Sequence, residues 1–130
     1  MNNPTWLQAR AVLKFQERLI AEFGGSYGIR DEGLLQSALV RPQNLFAYGN
    51  PTIFELAASY AYALVRNHPF VDGNKRIGFA CAVLFLETNG YRFSANEAES
   101  AIRTLALAAR AMDEAAYAGW LRQNSRATKS

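Results

Sequence analysis

The sequence predicts an all-α fold, a compact bundle of about six helices around one hydrophobic core. Apolar residues recur at helical spacing, helix-capping and helix-stopping residues separate these stretches, and no long stretch alternates apolar with polar residues. The chain has 130 residues and is 50% hydrophobic, which suits a single domain. We expect this domain to span residues 1–122, followed by an unstructured polar tail at 123–130.

The first helix has a recognisable beginning and end. Thr5 with Gln8 forms a capping-box pattern that is expected to open it. Its apolar positions follow at helical spacing: Val12, Phe15, Leu19 and Phe23. Gly24 and Gly25 then predict its end, because glycine readily adopts the backbone conformation that stops a helix.

The second helix is predicted to be short. Asp31 is a suitable N-cap for it. Pro42 disfavours helical geometry at Arg41, so the helix is expected to finish near Val40. Residues 41–51 then form a connector.

Two strongly apolar helices are expected in the middle of the chain. Thr52 begins the first of them, which is apolar nearly all round and is therefore predicted to be buried. Pro69 ends it at or just before His68. Residues 75–88 form the second, closed by Asn89.

The last part of the domain predicts two more helices. Ser94 with Glu97 makes a second capping-box pattern, and Asp113 is placed to start the final helix. Residues 91–93 are the only candidate strand, and they are too short to build a sheet.

Composition excludes several classes of protein. Cys81 is the single cysteine and lies in an apolar run, so we expect it to pack as a small hydrophobic residue. A net charge of +3 falls short of the basic tracts of a dedicated nucleic-acid binder, which argues against direct nucleic-acid binding. The sequence contains neither a membrane-spanning run nor a secretory signal pattern, so a cytoplasmic protein is expected.

Residues 68–76, HPFVDGNKR, join the two central helices and predict a phosphate-binding turn. Gly73 and Asn74 tolerate left-handed backbone angles that let N–H groups converge at the start of the following helix. Lys75 and Arg76 occupy the positive end of that helix, where each costs about 0.3–1 kcal/mol relative to an acidic residue. A bound phosphate would compensate for both cations.

The same segment carries two further reactive groups. His68, the only histidine of the chain, is suited to remove a proton from an attacking hydroxyl. Asp72 is a candidate ligand for a magnesium ion that bridges phosphate oxygens. Phe70 is expected to anchor the loop in the core and to fix the direction of His68.

Each of these residues also has an ordinary structural interpretation. A single histidine near a helix end usually caps or packs, an aspartate or asparagine usually caps a helix, and a Lys–Arg pair usually faces solvent. It is the conjunction of all of them within nine residues that favours a functional site.

The pattern H-x-F-x-D-G-N-K-R resembles the signature of the Fic/Doc (Fido) family, and specifically of its death-on-curing (Doc) branch. The flanking segments FGGSYGIRDEGLLQSALVRPQN and IGFACAVLFLETNGY are also similar to that branch. The resemblance implies a Fido fold, with the motif loop between two central helices. It also implies these roles: His68 as catalytic base, Asp72 as magnesium ligand, and Gly73, Asn74, Lys75 and Arg76 as phosphate-binding groups.

The resemblance further implies a function. Most Fic proteins transfer AMP to a protein hydroxyl and have a second glycine where this chain has Lys75. In the Doc branch a lysine there goes with transfer of the γ-phosphoryl group of ATP to a threonine of translation elongation factor Tu. We therefore expect an ATP-dependent toxin kinase of a type II toxin–antitoxin system that uses Mg²⁺ and arrests translation. The alternatives are a protein adenylyltransferase and a non-catalytic binding module.

Two features depart from the AMP-transferring relatives. Phe79 stands where many of them carry another arginine. Arg66 or a cationic row on the first helix are candidates to replace that arginine as a phosphate ligand. For the row, a solvent-facing stripe paired with Glu17 and Glu22 is the better interpretation. The row consists of Arg10, Lys14 and Arg18.

The sequence also lacks a self-inhibitory Ser/Thr-x-x-x-Glu-Gly/Asn helix, so inhibition by a separate antitoxin near the active site is expected. The connector at 41–51 corresponds to the family's target-aligning flap. It either serves that purpose or packs into the core.

Overall fold

The computed structural model describes residues 3–128 and confirms the all-α fold class. The described part of the chain contains six helices and one small two-stranded sheet. The helices are α1 (Ala9–Phe23), α2 (Glu32–Tyr48), α3 (Ile53–Asn67), α4 (Asn74–Thr88), α5 (Glu97–Ala108) and α6 (Glu114–Gln123). The strands are β1 (Tyr91–Phe93) and β2 (Ser125–Ala127), which pair antiparallel. Among residues 3–128, no helix combines the length and hydrophobicity needed to cross a membrane.

Helix α3 forms the centre of the bundle, as its apolar sequence predicts. Ten of its 15 residues are buried, and it packs against α2, α4 and α6. Its contact with α4 is close at Gly78, where an added Cβ would lie 3.0 Å from Val65 Cγ1 and 3.2 Å from the Ala61 carbonyl oxygen. The loop between α3 and α4 therefore emerges from two helices that the core holds firmly.

Helix α2 is longer than the sequence predicts. It continues through Pro42 to Tyr48, so the predicted end near Val40 and most of the predicted connector are wrong. Proline inside a helix costs about 3 kcal/mol. Here Pro42 is buried, and Arg41 binds both carboxylate oxygens of Glu114 at 2.7 and 2.8 Å. Tertiary packing of α2 outweighs the local preference.

Whether this segment aligns a target stays a prediction, and its place in the fold is as follows. Residues 45–51 lie at the amino end of α3, whereas His68 lies at its carboxyl end. A helix of 15 residues separates them by about 20 Å. The aromatic side chains of this segment have different environments. Phe46 packs against Trp6, whereas Tyr48 is 90% exposed.

Two predicted capping boxes are also wrong. Helix α1 begins at Ala9 without a side-chain cap, and the Thr5 N–H instead donates to Asn89 Oδ1 at 2.8 Å. Asn96, not Ser94, caps α5, and its Oδ1 accepts from the Glu99 N–H. Like the Thr5 N–H, the Ser94 N–H is bonded to a distant segment, since it donates to the Asn124 carbonyl. The remaining helix starts are confirmed, with Thr52 and Asp113 as caps.

The polar tail is structured where the structure describes it, so the prediction of an unstructured segment at 123–130 is wrong there. Residues 125–127 form β2 against β1, and Thr128 N–H donates to the Gly90 carbonyl at 2.9 Å. Backbone hydrogen bonds order this segment without large apolar side chains. Residues 129 and 130 lie outside the described part.

Candidate active site

The motif loop, residues 68–73, turns the chain back between α3 and α4. His68 caps α3 in the left-handed conformation, with φ 49° and ψ 55°. This conformation costs a residue with a side chain about 1–2 kcal/mol. Gly73 precedes α4 with φ 82°, where glycine carries no such cost. His68 itself is exposed at the surface, as a proton acceptor for an external hydroxyl must be.

Asn74 holds the loop in shape from inside. Its Oδ1 accepts from the Phe70 N–H and its Nδ2 donates to the Phe70 carbonyl, both at 3.0 Å. The same Nδ2 lies 3.5 Å from His68 Nδ1. Phe70 is buried in the core, which confirms its predicted anchoring role. Because the Asn74 side chain is only 7% exposed and already engaged, its backbone N–H is the group left to meet an anion.

A second segment holds the loop from outside. Residues 24–31, here called the strap, connect α1 to α2 and run antiparallel along the motif loop. The Val71 N–H donates to the Gly28 carbonyl at 3.0 Å, and the N–H groups of Arg30 and Asp31 donate to the Pro69 carbonyl at 2.6 and 3.0 Å. No function for the strap was evident from the sequence. Three glycines among its first five residues were the available signal.

The strap also fixes the carboxylate of Asp72. Ser26 N–H donates to Asp72 Oδ2 at 2.8 Å, and Gln16 Nε2 donates to the Asp72 carbonyl at 3.3 Å. The other carboxylate oxygen, Oδ1, has no hydrogen-bond partner within residues 3–128. Magnesium in nucleotide sites is commonly held by one or two carboxylates together with phosphates and water. The side chain fits that arrangement, and the described chain has no cluster of three or more metal-binding residues.

The start of α4 offers unpaired hydrogen-bond donors. Gly73 has no side chain to cap the helix, and the first backbone bond runs from the Ile77 N–H to the Gly73 carbonyl. The N–H groups of residues 74–76 therefore have no acceptor in the described chain. Lys75 and Arg76 are exposed beside them, and no acidic residue occupies this first turn. These donors, the helix dipole and the two cations together favour an anion.

A largely apolar groove of about 940 Å³ begins at this helix start and runs between α1, α4 and α5. At its mouth, the Arg76 guanidinium stacks on the Phe23 ring, with Cζ 4.3 Å from the ring centroid. Apolar side chains line it: Phe15, Leu19, Phe79, Val83, Leu84 and Leu105. Phe79 thus forms part of the groove wall.

The cationic row on α1 is exposed, as predicted, but does not pair with Glu17 or Glu22. In the part of the chain that the structure describes, the ion pairs within 4.0 Å are Arg41–Glu114 and Arg103–Glu99. The predicted pairing is therefore wrong. The row consists of Arg10, Lys14 and Arg18.

The structure is a helical domain in which the single histidine of the described chain lies near a helix start with unpaired N–H groups and two exposed cations. The Fic/DOC family model matches residues 6–86, which include the whole motif loop, and the chain belongs to that family. It is 44% identical over 77 residues to "Toxin Doc" of Mycolicibacterium smegmatis, a match covering 57% of this chain and 58% of that protein. It is 40% identical over 72 residues to "Protein kinase doc" of Escherichia phage P1, covering 55% and 57%. The match spans somewhat more than half the length of each relative.

Proposed function

We propose that this protein is the toxin of a type II toxin–antitoxin system. It acts as a kinase that transfers the γ-phosphoryl group of ATP to a threonine of translation elongation factor Tu and so arrests translation. The observation that carries the proposal is Lys75, exposed in the first turn of α4 beside the unpaired N–H groups. The names of the two relatives, one a toxin and one a protein kinase, support it.

In this mechanism His68 acts as the general base. An imidazole nitrogen takes the proton from the threonine hydroxyl as the hydroxyl oxygen bonds to the γ-phosphorus. The bond between that phosphorus and the β,γ-bridging oxygen breaks, and ADP leaves. The long contact of 3.5 Å from Asn74 Nδ2 orients the ring near its Nδ1 atom.

The start of α4 binds the phosphates in this proposal. Its free N–H groups contact phosphate oxygens, the Arg76 guanidinium can donate to two oxygens at once, and Lys75 adds a point charge. Asp72 would hold magnesium, which supplies positive charge to phosphate oxygens when it is bound. The Ser26 N–H keeps the Asp72 carboxylate beside the helix start.

An antitoxin is the proposed inhibitor, with the groove beside α4 as its binding site. Lys75 and Arg76 are among the residues that line the groove, so an occupant would lie against the proposed phosphate-binding turn. Leu105 and Phe23 at its rim are 53% and 50% exposed, which is typical of a surface that a partner covers. An amphipathic helix of another chain fits such a groove.

ATP labelled at either the γ or the α phosphate, incubated with purified protein and elongation factor Tu, tests the reaction. We expect label on the factor from γ-labelled ATP alone. Label from the α position would instead identify an adenylyltransferase. His68→Ala should reduce transfer by at least about 100-fold. The exposed cation Arg122, in the last turn of α6, offers a control, because Arg122→Gln should leave transfer unchanged.

The same variant separates an enzyme from a binding module. Expression of the wild-type chain without antitoxin should arrest growth, and His68→Ala should abolish the arrest. Growth arrest that persists in His68→Ala would contradict catalysis as the cause.

A further inference from the structure

Arg30, in the strap, hydrogen-bonds to backbone carbonyls at the carboxyl end of α3. Arg30 Nε donates to the His68 carbonyl at 2.7 Å, and Arg30 Nη2 donates to the Asn67 carbonyl at 2.9 Å. The backbone N–H of Arg30 also donates to the Pro69 carbonyl at 2.6 Å. A single residue therefore binds three consecutive carbonyl oxygens, centred on His68.

These bonds act on the backbone that carries the imidazole. His68 has the left-handed conformation that side chains rarely adopt, and such a conformation persists only where neighbouring groups hold it. Its carbonyl is fixed by Arg30, and its ring lies beside Asn74 Nδ2. The direction of the ring is thus set by one contact to the His68 backbone and one to its side chain.

The chemistry of the contact requires an arginine. The planar guanidinium presents a rigid fork of N–H donors, so one side chain reaches two neighbouring carbonyls at once. A lysine offers a compact charge without that fork. The positive charge also lies at the negative end of the α3 dipole, which favours either cation. A lysine at this position would therefore supply the positive charge of Arg30 but not its two paired N–H donors.

We propose that Arg30 is a positioning residue: its guanidinium holds His68 in the left-handed conformation that directs the imidazole toward the substrate hydroxyl. This inference rests on the proposed role of His68 as general base. Arg30 is exposed, and α3 is held by its own buried face. The consequence of losing Arg30 is therefore local to the motif loop.

The first test observes the imidazole directly and needs no turnover. Because His68 is the only histidine, its ring gives one set of histidine side-chain NMR signals. Arg30→Gln should shift and broaden these signals, while the melting temperature stays within a few degrees of wild type. Arg122→Gln is the matched control, an exposed arginine in the last turn of α6, and should change neither. Unchanged ring signals in Arg30→Gln would overturn the proposal.

The second test is kinetic. Arg30→Gln should lower kcat about 10- to 100-fold, as misplacing a catalytic group by about 1 Å does, and leave the KM for ATP within about threefold. Arg30→Lys keeps the charge but loses the paired donors, so it should recover only a minor part of kcat. In a His68→Ala background, Arg30→Gln should have no further effect, because it acts through the missing ring. A full additional loss in that background, or a change confined to KM, would count against a positioning role.

The two tests separate this inference from the proposed function. If no phosphoryl transfer occurs but Arg30→Gln still shifts the His68 ring signals, Arg30 orients the ring and the reaction assignment fails. If transfer occurs and neither kcat nor the ring signals respond to Arg30→Gln, the reaction assignment stands and the role of Arg30 is refuted.

Discussion

Asn74 and Phe70 hydrogen-bond to each other twice, with the Asn74 side chain pairing to both the N–H and the carbonyl of Phe70. The Asn74 side-chain amide thereby makes the pair of hydrogen bonds to the Phe70 backbone that a neighbouring β-strand would make in a sheet. Because α4 begins at Asn74, this pair connects the proposed phosphate-binding helix start to the buried anchor of the loop.

Asn74→Ala is expected to destabilise the protein by about 2 kcal/mol or more, because it leaves the buried N–H and carbonyl of Phe70 unpaired. Urea denaturation measures this difference. Asn44→Ala, at an exposed position on α2, should change stability by less than about 0.5 kcal/mol. Equal effects of the two substitutions would show that the paired contacts contribute little.

Gly78→Ala should destabilise the packing of α3 on α4 by about 1–3 kcal/mol, since its new methyl would approach the Ala61 carbonyl and Val65 too closely. Gly119→Ala in α6 is the counterpart, because an added Cβ there meets nothing within 4 Å. It should stabilise the protein by about 0.5–1 kcal/mol through helix propensity. Thermal unfolding of both variants checks the opposite signs.

Gly25→Ala should reduce activity beyond its effect on stability. Its Cβ would lie 3.2 Å from Asp72 Cβ and 3.4 Å from Asp72 Oδ2, so the proposed magnesium ligand must move. Gly24→Ala shares the positive φ but has open space around its Cβ. Both should lose about 1–3 kcal/mol of stability, and only Gly25→Ala should lose phosphoryl transfer per folded molecule. Equal activity in the two variants would contradict a requirement for the position of Asp72.

Stability should decline at alkaline pH. Burial raises the pKa of Tyr60 and Tyr117 from 10.0 to about 12, and that of Cys81 from 9.0 to about 12. The folded state therefore keeps protons that the unfolded chain releases, so stability is complete below the ordinary pKa values and is lost toward pH 12.

Urea unfolding at a series of pH values measures this dependence. Tyr117→Phe should flatten it, since one of the titrating groups is removed. Tyr48→Phe should not, because Tyr48 is 90% exposed. A stability curve that is level between pH 9 and 12 would refute the effect.

The central helices and the motif loop were predictable because their signals are local. Thr52 caps α3, Pro69 follows its end, and Gly73 marks the turn into α4, each within a few residues of the structure that it determines. The passage of α2 through Pro42 was not predictable, because it depends on Glu114, 73 residues from Arg41.

The candidate site also has features that the local sequence predicts and features that depend on distant contacts. The sequence identified the residues of the candidate site, from His68 to Arg76. It did not reveal that the Asn74 side chain faces inward or that Arg30 binds the His68 carbonyl, because both facts depend on how the backbone turns. Pairing between the strap and the loop joins segments about 40 residues apart, which no local pattern encodes.

This separation along the chain has a consequence for folding. The turn between α3 and α4 closes over a few residues, whereas Arg30 must find His68 across 38 residues and Ser26 must find Asp72 across 46. Contacts between distant segments carry the larger entropic cost and form more slowly. A chain that has assembled only its α3–α4 hairpin therefore contains the full motif without its working geometry. We therefore expect the geometry proposed for catalysis to be completed only when the segment after α1 docks.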